Sequence, residues 1–387
     1  MKVFVIAGEQ SGDALGGAVM AGLRDLSPGV TFDGVGGPLM QAQGLVSRFP
    51  MDELSVMGLA EILPKYRALK RRIAQMADAV IATRPDVLLT IDSPDFCLRV
   101  AKRVKARSDV RTIHYVAPTV WAWRPGRAAR MARHIDHVLA LFPFEPPLMK
   151  AAGMSCDFVG HPVVAQPLAG DDDVAAFRAQ HRIGAGPLLL ALPGSRKGEV
   201  SRLADRFGES LRLLAQTHPD LRVIVPCAAP VEAMVRDMAA DWPGQPLLIG
   251  PQDKDTKRAA FRAADVALAA SGTVSLELAA AGTPMVIAYD MNRLTRAIIA
   301  RMLLVDTVTL VNLVSGTRAV PEFVGVNCIP DRIAEGLRGV LADPAAQVAA
   351  MTTTMDLLGR GGVAPGLRAA QSVLRAVGSA PVALPQG

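Results

Sequence analysis

Two aspartates follow an apolar run in the stretch LLTIDSPDFCLRV, which spans residues 88–100. Asp92 comes directly after the run and Asp95 three residues later, with Pro94 stiffening the turn between them. A carboxylate at the end of a buried strand can act as a general base that takes a proton from a hydroxyl group. We expect this catalytic role for Asp92. For Asp95 the favoured interpretation is a helix cap, with contact to a substrate as the alternative.

A loop in LLLALPGSRKGEV, residues 188–200, has the features of a phosphate-binding site. An apolar strand ends at Pro193, Gly194 and Ser195 follow, and a helical pattern begins near residue 198. Small residues let backbone N–H groups approach a phosphate, and the start of a helix adds partial positive charge. Arg196 can donate two hydrogen bonds to a diphosphate, and Lys197 adds a second cation. The alternative is an ordinary turn with two solvated cations.

A second strand-to-helix turn lies in AASGTVSLELAAAGTPMVIAYD, residues 269–290. Ser271, Gly272 and Thr273 follow the strand, and Glu277 comes one turn into the helix. Thr273 could cap the helix or contact a phosphate, and Glu277 could accept hydrogen bonds from ribose or simply favour the helix start. Two such turns at the carboxyl ends of strands in one parallel sheet favour a nucleotide site.

The opening loop GEQSGD, residues 8–13, has different chemistry. It matches neither the G-x-G-x-x-G pattern nor the P-loop, and its acidic side chains would repel a diphosphate. Polar acceptors at a strand end suit the hydroxyl groups of a sugar. We therefore expect the nucleotide at the later loop and a hydroxyl-bearing acceptor at this one. The predicted acceptor-binding residues are Glu9, Ser11, Gly12, Asp13 and Asp95.

Residues 54–72, called here the 54–72 surface, combine apolar side chains with a basic cluster that contains no acid. The residues concerned are Val56, Met57, Leu59, Ile62, Lys65, Arg67, Lys70, Arg71 and Arg72. This combination suits an anionic membrane surface, or acyl chains beside a phosphate. A buried helix start with a solvated basic end explains the pattern equally well. A second basic stripe consists of Arg124, Arg127, Arg130 and Arg133.

Strand-like and helical runs that could position these residues alternate along nearly the whole chain. Short Val, Ile and Leu blocks that end in Gly, Pro, Ser or Asp are typical of a parallel sheet covered on both faces. The pattern restarts after PVVAQPLAGDDD, residues 162–173. The sequence predicts an α/β fold with two Rossmann-like domains facing each other across a cleft. We expect an acceptor and lipid domain at 1–168, a nucleotide domain at 169–343, and helices at 344–387 that pack back on the first domain or on a partner.

Composition narrows the function classes. The chain has 387 residues and a net charge of +6, which suits an anionic partner, but only 4% aromatics, which disfavours stacking on nucleic-acid bases. Four cysteines without a C-x-x-C pair predict no zinc site. The acidic strings at 171–173 and 253–255 precede helices, so we interpret them as caps. We expect no metal, no cofactor and no membrane-spanning segment.

Several motifs together resemble the lipid-A-disaccharide synthase family. They are GEQSGD at 8–13, IDSPDF at 91–96, HYVAPTVWAWRPGR at 114–127, LFPFE at 141–145, FVGHP at 158–162, LPGSRKGEV at 192–200, ASGTVSLE at 270–277, PMVIAY at 284–289 and VNLV at 311–314. The resemblance implies a glycosyltransferase B fold. It also implies transfer of diacylglucosamine from UDP to the 6-hydroxyl of diacylglucosamine 1-phosphate, with inversion, at the cytoplasmic face of the inner membrane.

The same resemblance assigns residues. It implies the catalytic base at Asp92, the diphosphate arginine at Arg196 and nucleotide contacts at Glu277 and Asn312. Gln10 replaces a usually small residue and Cys97 stands where Asn is common, and both could adjust acceptor contacts. The implied partners are UDP-diacylglucosamine, diacylglucosamine 1-phosphate and an anionic membrane, without nucleic acid, and a homodimer remains open.

Two other functions stay in view. A UDP-sugar 2-epimerase has the same architecture but would leave the 54–72 surface unexplained. A non-catalytic nucleotide-binding module would tolerate the loss of Asp92.

Overall fold

The computed structural model describes residues 1–54, 59–292, 296 and 302–378, and the side chains of residues 59–66 lie outside that description. The chain divides into two compact units. The first unit comprises Met1–Ala165 and the C-terminal segment from Gly361, and the second comprises Gln166–Arg360. The chain thus enters the second unit three residues before the sequence-based boundary, and it returns to the first unit near its end.

Strands and helices alternate along the chain. The strands are β1 (Lys2–Ala7), β2 (Thr31–Val35), β3 (Val87–Ile91), β4 (Arg111–Tyr115), β5 (His137–Ala140), β6 (Ser155–Phe158), β7 (Leu188–Leu192), β8 (Arg222–Pro226), β9 (Leu247–Ile249), β10 (Val266–Ala270), β11 (Met285–Tyr289) and β12 (Glu322–Val324). The helices of the described residues are α1 (Gln10–Leu26), α2 (Pro38–Gln41), α3 (Leu59–Thr83), α4 (Pro94–Lys105), α5 (Gly126–Met131), α6 (Glu145–Ala151), α7 (Asp171–Gln180), α8 (Lys197–Ala215), α9 (Glu232–Ala239), α10 (Lys254–Ala263), α11 (Val274–Ala281), α12 (Leu310–Ser315), α13 (Pro330–Ala342), α14 (Ala345–Leu357) and α15 (Pro365–Ala376).

Each unit contains one six-stranded sheet in which every pair of neighbouring strands is parallel. The strand order is β2-β1-β3-β4-β5-β6 in the first unit and β12-β11-β10-β7-β8-β9 in the second. Strands β3, β7 and β10 are buried along their whole length, as apolar strands covered on both faces must be. The predicted α/β class with two Rossmann-like sheets is confirmed.

The last helix, α15, packs on α1 of the first unit at close range. A Cβ added at Gly22 would lie 3.0 Å from the Cβ of Ala370, and one at Gly366 would lie 2.8 Å from the backbone oxygen of Ala18. Glycine at both positions therefore permits the close approach of the two helices. Ser372 adds polar contacts, since its Oγ lies 2.8 Å from Nε2 of His137.

Helix α14 belongs to the second unit instead. The side chain of Gln347 bonds both the N–H and the C=O of Met285, at 2.8 and 2.9 Å. The hydroxyl of Thr354 donates to the carbonyl of Val311 at 3.3 Å. The sequence analysis grouped α14 with α15, and these contacts separate them.

None of the helices among the described residues has both the length and the apolar character that a membrane span needs.

Candidate functional site

The second unit has a cavity of about 560 Å³ at the carboxyl edge of its sheet. Four strand ends and the turns that follow them line it: β7 with Gly194–Arg196, β8 with Cys227 and Ala228, β9 with Gly250 and Pro251, and β10 with Ser271–Thr273. In open α/β sheets, ligands bind at this edge because the loops there are free to take up binding functions. The structure brings together Gly194, Ser195, Arg196, Ser271, Gly272, Thr273 and Glu277 in this cavity.

The loop after β7 is closed by a residue that the sequence analysis missed, Glu199. The backbone N–H of Ser195 donates to its carboxylate at 3.2 Å, and Nη1 of Arg196 lies 3.1 Å from the other oxygen. Gly194 has a φ of +125°, and an added Cβ would lie 2.8 Å from the Cβ of Glu199. Glu199 therefore occupies donors that the sequence analysis assigned to a diphosphate. The sequence did contain a signal for this contact. Glu199 lies three residues after Arg196, the cap residue of α8, and an acid at that position often bonds a backbone N–H at the helix start.

The loop after β10 presents a hydroxyl and an ion pair to the cavity. Thr273 occupies the cap position of α11, but its side chain makes no capping hydrogen bond. Nζ of Lys257 lies 2.9 Å from Glu277, and both side chains line the cavity. Lys257, which the sequence analysis missed, also lies 4.9 Å from the ring centroid of Phe261. The carboxylate of Glu277 thus faces the cavity with one cation already bound.

Asn312 does not line this cavity, so the prediction of a direct nucleotide contact is not supported by its position. Its side-chain amide is buried and bonds both the N–H and the C=O of Val320, each at 2.9 Å. Its Nδ2 also donates to Glu322 at 3.3 Å, and Glu322 accepts the N–H of Thr309 at 2.7 Å. Ser271 donates to the carbonyl of Val308 in the same segment, at 3.1 Å. Asn312 therefore supports a segment that holds a cavity residue.

Asp92 in the first unit lies at the end of β3 with an unusual backbone. Its φ is +51° and that of Ser93 is +42°, which places two successive non-glycine residues in the left-handed region. Each costs about 1 kcal/mol, and such strain concentrates at functional sites. Ser93 is accommodated because residue 8 is glycine: an added Cβ there would lie 2.6 Å from Oγ of Ser93. Ser11 donates to Oδ2 of Asp92 at 3.3 Å.

A cavity of about 300 Å³ follows the start of α4, beside Asp92 in the chain. Its apolar wall consists of Leu54, Leu69, Ile73 and Phe96, and its polar wall consists of Glu9, Lys70, Asp95 and Arg99. Ser93 occupies the cap position of α4, so the cap interpretation of Asp95 is wrong. The carboxylate of Asp95 is exposed, and its acceptor-binding role remains a prediction.

Asp13 and Gly12 have structural roles that the sequence analysis did not assign to them. The buried carboxylate of Asp13 accepts the backbone N–H groups of Gly37, Leu39 and Met40, at 2.9, 3.0 and 3.0 Å. It thereby stabilises the start of α2. A Cβ at Gly12 would lie 3.3 Å from the Cβ of Ala7, so this glycine lets α1 approach β1. These contacts leave Asp13 unsuited to bind an acceptor.

The 54–72 surface is described only in part. Val56 and Met57 and the side chains of Leu59, Ile62 and Lys65 lie outside the described residues. Arg67, Lys70 and Arg71 are exposed. Arg72 is not a free cation, because it forms two hydrogen bonds of 2.8 Å with Glu53 and lies 4.2 Å from the ring centroid of Phe49.

The acidic strings cap helices as expected. The backbone N–H of Thr256 donates to Asp253 at 3.1 Å, and that of Gly170 donates to Asp173 at 2.7 Å. Asp255 pairs with Arg258. Within the described part of the chain, no three His, Cys, Asp or Glu side chains form a group that could hold a metal ion.

Glu145, the last residue of the LFPFE motif, is a buried acid beneath the loop that follows β4. Its carboxylate accepts the N–H groups of Leu141 and Phe142, each at 3.0 Å, and that of the Trp121 indole at 3.3 Å. Burial outweighs these hydrogen bonds and raises the pKa of Glu145 to about 7.

Two Rossmann-like units, each with one parallel six-stranded sheet, are the architecture of glycosyltransferase B type enzymes. The family model described as "Lipid-A-disaccharide synthetase" matches residues 3–360. The lipid-A-disaccharide synthase of Ruegeria pomeroyi is 65% identical over 97% of this chain and 95% of its own length. That of Rhodospirillum centenum is 46% identical over 100% and 97%. The chain belongs to the lipid-A-disaccharide synthase family and is a glycosyltransferase.

A solved structure shares the architecture. The UDP-GlcNAc 2-epimerase from Neisseria meningitidis, bound to UDP-GlcNAc, aligns with a TM-score of 0.62 over 97% of this chain and 99% of its own, at 13% identity. At that identity the likeness shows the fold alone. The epimerase alternative therefore lacks the support that the family match gives to the glycosyltransferase.

Proposed function

We propose that the chain transfers 2,3-diacylglucosamine from its UDP derivative to the 6-hydroxyl of 2,3-diacylglucosamine 1-phosphate and releases UDP. The observation that carries the proposal is Asp92, a strand-end carboxylate in a strained conformation, whose next residue, Ser93, lines a cavity with one apolar and one charged wall. An acylated sugar needs both kinds of wall. The family membership supports the same reaction.

The second unit binds the UDP part of the donor in this proposal. Arg196 and the N–H groups of the loop after β7 contact the diphosphate and stabilise the charge that develops on it as it leaves. Ser195 and Arg196 exchange their hydrogen bonds with Glu199 for hydrogen bonds with the diphosphate when it binds. The complex of the Neisseria enzyme with UDP-GlcNAc supports a UDP-sugar as ligand of this fold.

Asp92 acts as the general base. It removes the proton of the acceptor 6-hydroxyl while that oxygen attacks the anomeric carbon and the bond from this carbon to the UDP oxygen breaks. Attack from the side opposite the leaving UDP inverts the anomeric centre. Ser11 orients the carboxylate through its hydrogen bond to Oδ2. Neither step needs a metal ion if Arg196 and the backbone donors neutralise the diphosphate.

The proposal includes a peripheral location at the cytoplasmic face of the inner membrane. The exposed cations Arg67 and Arg71 contact anionic headgroups, each worth about 1 kcal/mol at low salt. Vesicle sedimentation tests this with Arg67→Ser/Arg71→Ser against Arg103→Ser, which removes an exposed charge from α4. The double variant should lose salt-sensitive binding to anionic vesicles and the control should keep it. Equal sedimentation with anionic and neutral vesicles would remove the membrane role.

Product analysis tests the reaction itself. Purified protein is incubated with UDP-diacylglucosamine and diacylglucosamine 1-phosphate, and disaccharide and UDP are measured together. A parallel incubation with UDP-GlcNAc alone tests for epimerisation at the sugar's second carbon. Equimolar disaccharide and UDP support the proposal, whereas epimerised UDP-sugar without disaccharide would replace it with the epimerase.

A further inference from the structure

The first unit has a second, strongly basic cavity of about 520 Å³ between α4 and α5. Five cations line it: Arg99, Lys102, Arg124, Arg127 and Arg130. Among the described residues that line it, Asp95 is the one acid. The sequence analysis noted Arg124, Arg127 and Arg130 as part of the second basic stripe.

These cations lack the ion pairs that neutralise neighbouring ones. Among the residues that the structure describes, none of the five pairs with a carboxylate. Lys105, one turn beyond Lys102 on α4, pairs with Asp136 at 2.7 Å, and the next arginine, Arg107, pairs with Asp78. The positive charge that lines the concave surface is therefore not neutralised by ion pairs of the described residues. Such a cavity attracts an anion more strongly than a flat solvated face does.

Part of the cavity wall is held in place before any ligand binds. The Arg124 guanidinium carbon lies 4.4 Å from the ring centroid of Trp123, and the indole N–H donates to the hydroxyl of Thr119 at 3.1 Å. Arg124 also has a left-handed φ of +52°, a conformation that costs about 1 kcal/mol.

The position of the cavity relates it to Asp92. Pro94, Asp95 and Arg99 line both this cavity and the smaller one that begins beside Asp92. Arg99 and Lys102 lie five and eight residues beyond Pro94, which is about 7 and 12 Å along α4. In such an acceptor C1 and C5 both flank the ring oxygen, so the 1-phosphate lies within the span of one sugar ring from the 6-hydroxyl, and cations that follow Asp92 along α4 are within its reach.

We propose that this cavity binds the phosphomonoester of the glycosyl acceptor, so that its cations select the phosphorylated sugar. The inference rests on the proposed function. A phosphomonoester carries close to two negative charges at neutral pH and accepts paired hydrogen bonds from arginine. The apolar wall of the smaller cavity then faces the acyl side of the same molecule.

The test compares two acceptors, diacylglucosamine 1-phosphate and the same compound without phosphate, in detergent. Arg99→Ser/Arg127→Ser should lower the ratio of kcat/KM for the two acceptors about 10²-fold, about tenfold per lost charged hydrogen bond. UDP affinity, measured by calorimetry, and the unfolding temperature should both stay at the wild-type values, and the second measurement shows that the variant is folded. Arg103→Ser, an exposed cation of α4 outside the cavity, should keep the wild-type ratio.

The outcomes separate this inference from the function on which it rests. An unchanged ratio in the double variant, with normal disaccharide formation, overturns the phosphate site and leaves the transferase standing. An unchanged ratio together with lost binding to anionic vesicles assigns the cluster to bilayer headgroups and also overturns the proposal. If the wild type makes no disaccharide, calorimetry with glucosamine 1-phosphate decides: binding by wild type that the double variant loses supports the site, and no binding refutes it.

Discussion

Replacing Asp92 with Asn tests the base with little disturbance of the fold. The residue has a left-handed φ of +51°, a conformation that Asn tolerates at least as well as Asp. Its backbone N–H bonds the carbonyl of Tyr115 at 3.0 Å, and Asn keeps this contact. The amide oxygen can still accept the hydroxyl of Ser11. Alanine would be a poorer probe, because its left-handed strain alone costs about 1 kcal/mol.

The expected loss follows from the proton transfer. The amide cannot accept the proton of the acceptor hydroxyl, and general-base catalysis contributes about 10²- to 10⁴-fold. That range equals about 2.7 to 5.4 kcal/mol of transition-state stabilisation. We expect kcat to fall by this factor while the unfolding temperature and the affinity for UDP stay at wild-type values.

The assay is disaccharide formation at saturating donor and acceptor, with calorimetric UDP binding and a thermal melt on the same preparations. Ser11→Ala is the matched control, since it removes only the 3.3 Å hydrogen bond to Oδ2. That contact is long and exposed, so we expect a loss of less than about tenfold. A kcat of Asp92→Asn within threefold of wild type would refute the base assignment.

Three further expectations concern other parts of the chain. Arg196→Ala should weaken UDP binding and lower kcat together, because the diphosphate gains charge as it leaves; calorimetry that shows wild-type UDP affinity contradicts this. Activity should survive EDTA, because Asp253 already caps α10; a Mg²⁺ requirement abolished by Asp253→Asn would overturn the cap interpretation. Burial raises the pKa of Glu145 from 4.5 to about 7, so its contribution to stability is complete below pH 4.5 and lost once the pH has risen past about 7. Wild-type unfolding temperature should therefore fall between pH 5 and 8 more than that of Glu145→Gln, and parallel curves would count against the shift.

The two sheets were predictable because their strands have a recognisable sequence pattern. Runs such as LLLAL in β7 and VALAA in β10 are apolar on both faces, which only a covered parallel strand requires. The loops after them were predictable for a related reason. The carboxyl ends of parallel strands meet at one edge, so Gly194–Arg196 and Ser271–Thr273 had to lie near each other.

The pairing of charges was not predictable, because it depends on contacts far apart in the chain. Arg72 seemed free for a membrane, yet Glu53 neutralises it from a separate segment. The family resemblance implied a nucleotide contact for Asn312, but its amide bonds Val320 and Glu322 across a turn. The local sequence predicts the helix or strand on which a residue lies. The partner that hydrogen-bonds to its side chain depends on tertiary contacts, which the local sequence does not give.

Asp13 in the first glycine loop and Asp92 after β3 show how tertiary contacts decide which carboxylate can act as the base. Asp13 and Asp92 both looked like ligands for a hydroxyl. All three hydrogen bonds to Asp13 come from backbone N–H groups of a buried helix start, so a substrate would have to break them. Among the described residues, the side chain of Asp92 accepts a single hydrogen bond, from an exposed serine. A base needs an oxygen lone pair that is held in position and still unoccupied, and of these two carboxylates only that of Asp92 meets both conditions.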